Sequence, residues 1–304
     1  MILPGTGRWQ RAALTEGARG LAQRLRRAPT TILRMVPLPV PGRILPALIL
    51  AGCAPVAEGQ ANPAHPTIVS LNPCSDAILA AVAEPGQVLA ISHYSHDPRA
   101  TSMPLAEARR FRATSGTVEE VLALAPDLVL ADPFMAPATR GAFERLGIRV
   151  ETVGIASSIS ESEAQVRQLA ALAGHPARGH ALVAEIEIAL ADARRAGSIP
   201  ALLWQQGGLV PGEGTLAAEL FAHTGFASHS AARGLGQGAY LPLEEVLADP
   251  PRVILAAGSE RAQAHPVLRS LDAPLAGIDP ALLYCGGPTI PRLARRLAEV
   301  RDSL

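Results

Sequence analysis

Residues 117 to 131 read Thr117-Val-Glu-Glu-Val-Leu-Ala-Leu-Ala-Pro-Asp-Leu-Val-Leu-Ala131, and residues 242 to 256 read Pro242-Leu-Glu-Glu-Val-Leu-Ala-Asp-Pro-Pro-Arg-Val-Ile-Leu-Ala256. At an offset of 125 the pairs Glu119/Glu244, Glu120/Glu245, Val121/Val246, Leu122/Leu247, Ala123/Ala248, Pro126/Pro251, Leu130/Leu255 and Ala131/Ala256 are identical. Each copy predicts a short helix with carboxylates in its first turn, where they favour the helix dipole. A proline stops the helix, and an apolar run suited to a buried strand follows. Two such copies predict two similar α/β lobes.

The 304-residue chain accommodates two domains of ordinary size, each about 100–150 residues. Its 27 basic and 27 acidic groups balance, and every basic residue is Arg. That balance gives no electrostatic footprint for nucleic acid and no polybasic patch for a membrane. Aromatic residues are 3% of the chain, so any stacking platform draws on few side chains.

The run from Arg43 to Cys53 has a positive residue, a short apolar core and small residues before a cysteine, which is the anatomy of an export signal. Leu50-Ala51-Gly52-Cys53 resembles a lipobox, making Cys53 the candidate lipidation site; a signal cleaved further along without lipid is the alternative. The apolar core is too short for a membrane span of about 20 residues. Met35 suits an export signal better as a start than Met1. A Pro-, Ala- and Gly-rich tether runs on to residue 66, so the expected organisation is 1–66 extension, signal and tether, 67–158 first lobe, 159–197 helical link and 198–304 second lobe.

In the first lobe, Thr67 to Leu71 reads as a buried strand and Asn72-Pro-Cys-Ser75 as a turn with Ser75 capping a helix from Asp76. Val88 to Ser92 reads as a second strand. Strands alternating with helices predict parallel sheets, whose ligands sit outside the carboxyl ends of the strands. That rule nominates Asn72 and Cys74 after the first strand, His93, Tyr94 and His96 after the second, and Phe134 after the third. His93-Tyr-Ser-His-Asp97 suits metal ligation or a polar ligand, and equally a solvated loop.

The link predicts two helices, about 160–173 and 177–196, the first capped by Ser160 with Glu163 completing a capping box. The second lobe opens with a strand from Ile199 to Gln205, nominating Trp204, Gln205 and Gln206. Thr215 is placed as a helix cap. Gly234 to Tyr240 reads as a loop that brings Tyr240 to the site, not as a dinucleotide fingerprint. A helix near 267–271, a strand at Leu282-Leu283 and a helix from Pro291 complete the prediction.

Cys74 and Cys285 remain once Cys53 is lipidated or removed. Both are placed at strand ends facing the cleft. A disulfide, a pair of ligand-contacting thiolates and two inert thiols are all open.

Thr67-Ile-Val-Ser-Leu-Asn-Pro-Cys-Ser-Asp-Ala-Ile-Leu79, Val88 to Ser92 and Gly116 to Ala131 together resemble the helical-backbone class of periplasmic binding proteins, which serve ABC importers for cobalamin, ferric siderophores and haem. The resemblance spans about residues 67–303. It implies an α/β fold of two Rossmann-like lobes with parallel sheets, joined by a long helix, and a metal-chelate ligand gripped between them. It further implies a monomer with no resident cofactor, docked onto an ABC permease dimer and its ATPase through a glutamate of each lobe. By position those are Glu119 and Glu244; the alternative is that they only serve their own helix ends. The remaining rivals are a haem- or metal-binding surface lipoprotein and an α/β enzyme, for which the sequence has no nucleophile elbow, phosphate loop or zinc-protease motif.

Overall fold

The computed structural model describes residues 65–304, so the export signal and Cys53 lie outside the described residues. The first lobe is built from β1 (Ile68–Ser70), α1 (Pro73–Val82), β2 (Val88–Ser92), α2 (Leu105–Ala108), β3 (Ala113–Thr114), α3 (Val118–Leu124), β4 (Leu128–Ala131), α4 (Pro137–Arg145) and β5 (Arg149–Thr152). Its strands form one parallel sheet in the order β3-β2-β1-β4-β5. Two helices follow, α5 (Ile159–Leu172) and α6 (Pro176–Ala193).

The second lobe continues with β6 (Ile199–Gln205), β7 (Leu209–Val210), α7 (Leu216–His223), β8 (Phe226–Ser228), α8 (His229–Ala232), β9 (Ala239–Tyr240), α9 (Leu243–Ala248), β10 (Val253–Ala257), β11 (Leu275–Ile278) and α10 (Ile290–Asp302). Its main sheet is parallel in the order β11-β10-β6-β8, and β7 and β9 pair as a separate antiparallel ribbon.

The duplicated stretch becomes α3-β4 and α9-β10. In each lobe its strand lies directly beside the lobe's first strand, β4 beside β1 and β10 beside β6. Val121 and Val246, paired in the repeat, are both fully buried on the outer face of their sheets. Val121 packs with Val69, Val129 and Phe143, and Val246 packs with Leu202, Trp204 and Ile254. Each such side chain contributes roughly 1.5–3 kcal/mol of burial energy. α3 ends at Ala125, whose left-handed backbone (φ 48°) turns the chain into Pro126.

The inner faces share one core. A continuous buried cluster runs from Ile68 and Leu130 of the first sheet through Val166 and Leu169 of α5, Ile186 and Leu190 of α6 and Leu297 of α10, to Leu203 and Leu255 of the second sheet. Eighteen residues of α6 span about 27 Å at 1.5 Å per residue. Close packing of this kind resists large hinge motion.

Several local expectations are corrected. Asn72, not Ser75, caps α1: its Oδ1 accepts from Cys74 N–H at 2.8 Å, and Pro73 occupies the first helical position, where a missing N–H is harmless. Ser158, not Ser160, caps α5. Its hydroxyl accepts from Glu161 N–H while the Glu161 carboxylate accepts from Ser157 N–H, so the cap and its acidic partner sit two residues earlier than predicted. The last strand is Leu275–Ile278, and Pro280–Leu282 is a 3₁₀ turn started by Asp279, whose carboxylate accepts from Ala281 N–H. Residues 266–270 also form a 3₁₀ turn. Thr215 caps α7 as predicted.

Candidate functional site

Both sheets reverse their strand order beside their first strand, between β1 and β4 and between β6 and β10. Such switch points open a crevice at the carboxyl ends of the strands. A cavity of about 500 Å³ lies there, lined from the first lobe by Asn72, Asp132, Phe134 and residues 154–157, and from the second by Gln205, residues 209–211, Thr215 and Leu216. Gln165 of α5, Leu293 of α10 and the segment 282–286 line the rest. The volume suits a small-molecule site, which typically occupies about 300–1,000 Å³.

Local hydrogen bonds shape these walls. The Gln165 amide donates to Gly154 O at 2.7 Å, and Asn72 Nδ2 approaches Val153 O at 3.5 Å, so the segment after β5 is held from both α5 and the β1 loop. Asp132 accepts from Phe134 N–H at 2.7 Å in a tight turn that leaves the phenyl ring 79% exposed. On the facing lobe, Gly212 packs against the backbone of Gly236 and Gln237 so closely that a Cβ would overlap it. Within the glycine-rich stretch after Arg233, Gly236 and Gln237 make this contact.

Cys74 and Cys285 form a disulfide in the cavity wall, with Cα atoms 5.2 Å apart and a sequence separation of 211. It joins the first turn of α1 to the segment preceding α10. Around it, Gly287 N–H donates to Ser162 Oγ at 2.7 Å, and a side chain on Gly286 would strike the same hydroxyl. Beneath it lies Asp76, fully buried. Its Oδ2 accepts from Ser92 N–H at 3.0 Å and from Ser95 Oγ at 2.6 Å, tying α1 to the end of β2 and the turn after it, while Oδ1 has no partner within hydrogen-bond geometry. Burial outweighs these hydrogen bonds and the nearby Ser70 hydroxyl, and pushes the carboxyl up to about 7.

Of the residues nominated from sequence, Asn72, Cys74, Phe134, Gln205 and Cys285 line the cavity. Trp204 does not. Side chains alternate along β6, so Leu203 and Gln205 face the cavity while Leu202 and Trp204 face the opposite side of the sheet. The Trp204 indole is 1% exposed and donates to Leu241 O at 2.9 Å. Gln206, Tyr240, His93, Tyr94 and His96 also lie outside the lining. His93 to His96 fold as a 3₁₀ turn in which His93 Nδ1 is 3.3 Å from Thr114 O and His96 Nε2 donates to Ala108 O at 3.0 Å. Tyr94 and Tyr240 are more than half exposed at their strand ends. Sequence inspection missed Asp132, Gln165, residues 154–157 and 209–211, and Tyr284. Burial, and then the negative charges of Asp279 and Asp97, raise the Tyr284 phenol.

The paired glutamates separate into two kinds. Glu120 accepts from Thr114 Oγ1, Ser115 N–H and Ser115 Oγ, which holds its carboxyl below the usual range, and Glu245 faces Arg233 at 3.5 Å. Glu119 and Glu244 are exposed and have no hydrogen bond or ion pair among the described residues.

Among the described residues no helix is long and apolar enough to cross a membrane. No curated protein sequence matches the chain. Solved structures with the same fold include the periplasmic haem-binding protein RhuT from Roseiflexus sp. RS-1, at 21% identity and TM-score 0.63, covering 79% of this chain and 97% of that one. The vitamin B12 binding protein BtuF of Vibrio cholerae matches at 18% identity and TM-score 0.60, covering 79% and 99%. The haem-binding protein HutB of Vibrio cholerae matches at 16% identity and TM-score 0.63, covering 77% and 98%. The family profile described as periplasmic binding protein matches residues 68–273. With two parallel-sheet lobes, a crevice at both switch points and that match over most of its length, this chain belongs to the periplasmic binding protein family.

Proposed function

We propose that this protein is the exported substrate-binding component of an ABC importer, and that it carries a bulky metal chelate with little net charge, of which a corrinoid such as cobalamin is the type. The chemistry of the cavity wall carries the choice of ligand. Among the described residues Asp132 is the one charged side chain lining it, and no Arg or His lines it. Haem and the catecholate or carboxylate ferric siderophores, which carry negative charge, call for guanidinium partners, because desolvating an anion without one is costly. A wall of Ile155, Leu203, Val210, Leu216 and Leu283 relieved by Asn72, Gln165, Gln205 and Thr215 suits a ligand that is apolar in body and amide-rich at its edge. The exposed Phe134 ring offers a stacking face.

Delivery rests on Glu119 and Glu244. They occupy equivalent helix starts on two lobes, and among the described residues both lack side-chain partners while their neighbours Glu120 and Glu245 have them. Two matched, unengaged carboxylates suit arginines on a two-fold permease. The double variant Glu119→Ala/Glu244→Ala is expected to keep its ligand affinity and its fold, since exposed substitutions change stability by under about 0.5 kcal/mol. Uptake in cells and capture of the permease complex in detergent should both fall at least about tenfold. Undiminished uptake by the double variant would refute this assignment.

A further inference from the structure

We propose that His65, His175 and Glu84 bind one divalent transition-metal ion of the zinc class, away from the cleft, fastening the residues that lead into β1 to the turn between α5 and α6. The three candidate donor atoms lie within 4.8 Å of one another. His65 Nδ1 and His175 Nε2 are 3.3 Å apart, with ring centroids at 4.6 Å. Two nitrogens each about 2.0–2.1 Å from a tetrahedral ion are separated by about 3.3 Å. A hydrogen bond between them would ordinarily be shorter, at about 2.9–3.0 Å.

Gln87 explains why the pair is poorly served by a hydrogen bond. Its Nε2 donates to Pro66 O at 3.0 Å and to Ala173 O at 2.6 Å, which fixes its Oε1 as an acceptor. That oxygen takes Glu84 N–H at 3.0 Å and faces His175 Nε2 at 2.9 Å. A proton on Nε2 therefore points to Gln87 and leaves His65 Nδ1 without a share of it. A bare Nε2 would set its lone pair against the Gln87 oxygen. A cation in this corner removes the conflict, because it accepts electron pairs from Nε2, from Nδ1 and from a Glu84 oxygen, with Gln87 Oε1 as a fourth donor. Imidazole with carboxylate or amide oxygen is a donor set suited to zinc and its neighbours.

The surroundings permit this. Arg178 pairs with Glu84 at 3.7 Å, so the half-exposed carboxylate must turn from the guanidinium to the ion. Arg178 keeps its hydrogen bonds to Val82 O at 3.2 Å and Ala83 O at 2.8 Å when it does so.

The test uses the full chain purified without a histidine tag, titrated with Zn²⁺ against a chromogenic chelator and scanned for thermal unfolding with and without the ion. One equivalent should bind with a Kd in the micromolar range or tighter, and Tm should rise with zinc because the ion binds the folded state alone. His65→Ala should weaken binding at least about 100-fold and abolish the Tm rise, and Glu84→Gln should weaken it about tenfold. His180→Ala, on the exposed face of α6, should bind zinc as the unaltered chain does. Absence of saturable binding would leave the two imidazoles as a hydrogen-bonded pair and overturn the proposal. Equal affinity in His65→Ala would also overturn it, by placing the ion elsewhere. Neither result bears on the import reading, which uses none of these residues.

Discussion

Reducing the Cys74–Cys285 disulfide is expected to lower the melting temperature by about 10 °C or more. A bond that closes a loop of 211 residues removes chain entropy from the unfolded state worth about 5 kcal/mol. For a folded body of this size each kcal/mol is about 2–4 °C. The bond also joins the α1 start, on the first lobe, to the segment before α10, on the second, within the cavity wall. Its loss therefore acts on the cleft as well as on stability, and ligand should dissociate faster from the reduced protein. Thermal scans with and without a phosphine reductant measure the first effect. The Cys74→Ser/Cys285→Ser variant supplies the control, since its Tm should be low in both conditions. A shift below about 2 °C, or two thiols titrating in the native unreduced protein, would contradict the assignment.

Asp76→Asn should stabilise the protein, and increasingly so as pH rises from about 4 to 7. The carboxyl sits with no exposure, one oxygen unpartnered, and its value is raised from 3.8 to about 7. Because the folded state resists ionisation more than the unfolded chain does, Asp76 contributes no deficit below about pH 4. It becomes progressively destabilising up to about pH 7, and constant beyond. Three units correspond to about 4 kcal/mol, an upper figure because the asparagine amide inherits the unpartnered position. Urea unfolding of both proteins at pH 5.5 and 8.5 measures the change. The difference between them should widen at the higher pH; a difference independent of pH would mean that the folded-state carboxyl is already ionised below this range, contradicting its raised value.

The duplicated stretch made the architecture legible because it repeats a whole helix-proline-strand phrase whose apolar positions have to be buried in both lobes. Val121 and Val246 show how completely that pattern is realised. Strand ends named Asn72, Phe134 and Gln205 for the same reason: in parallel sheets the carboxyl ends face the ligand. Trp204 was nominated beside Gln205, yet adjacent residues of a strand point to opposite faces, so the two could not both line one cavity. Ser158 and Ser160 each stand three residues before a glutamate, and only the tertiary position of the chain leaving β5 selects the former. Residues 154–157 and 209–211 carry no local signal, since Gln165, Asn72 and the Gly212 contact place them from elsewhere in the fold. The histidines at 93 and 96 looked like ligands by composition but sit beside backbone carbonyls at Thr114 and Ala108.

Equilibrium titration of the ligand-free, oxidised protein with cyanocobalamin, haemin and a ferric catecholate siderophore, followed by intrinsic fluorescence and by calorimetry, decides which class of chelate the cleft takes. Saturable one-to-one binding of the corrinoid is expected, at least about tenfold tighter than of either anionic chelate, because among the described residues the cavity wall has no guanidinium to meet their charge. Ser157→Trp, which adds an indole to the exposed lip of the cavity, should weaken that binding at least about tenfold while leaving Tm unchanged. Preference for haemin or the siderophore would contradict the ligand class, and corrinoid binding untouched by Ser157→Trp would contradict the placement of the site between the lobes.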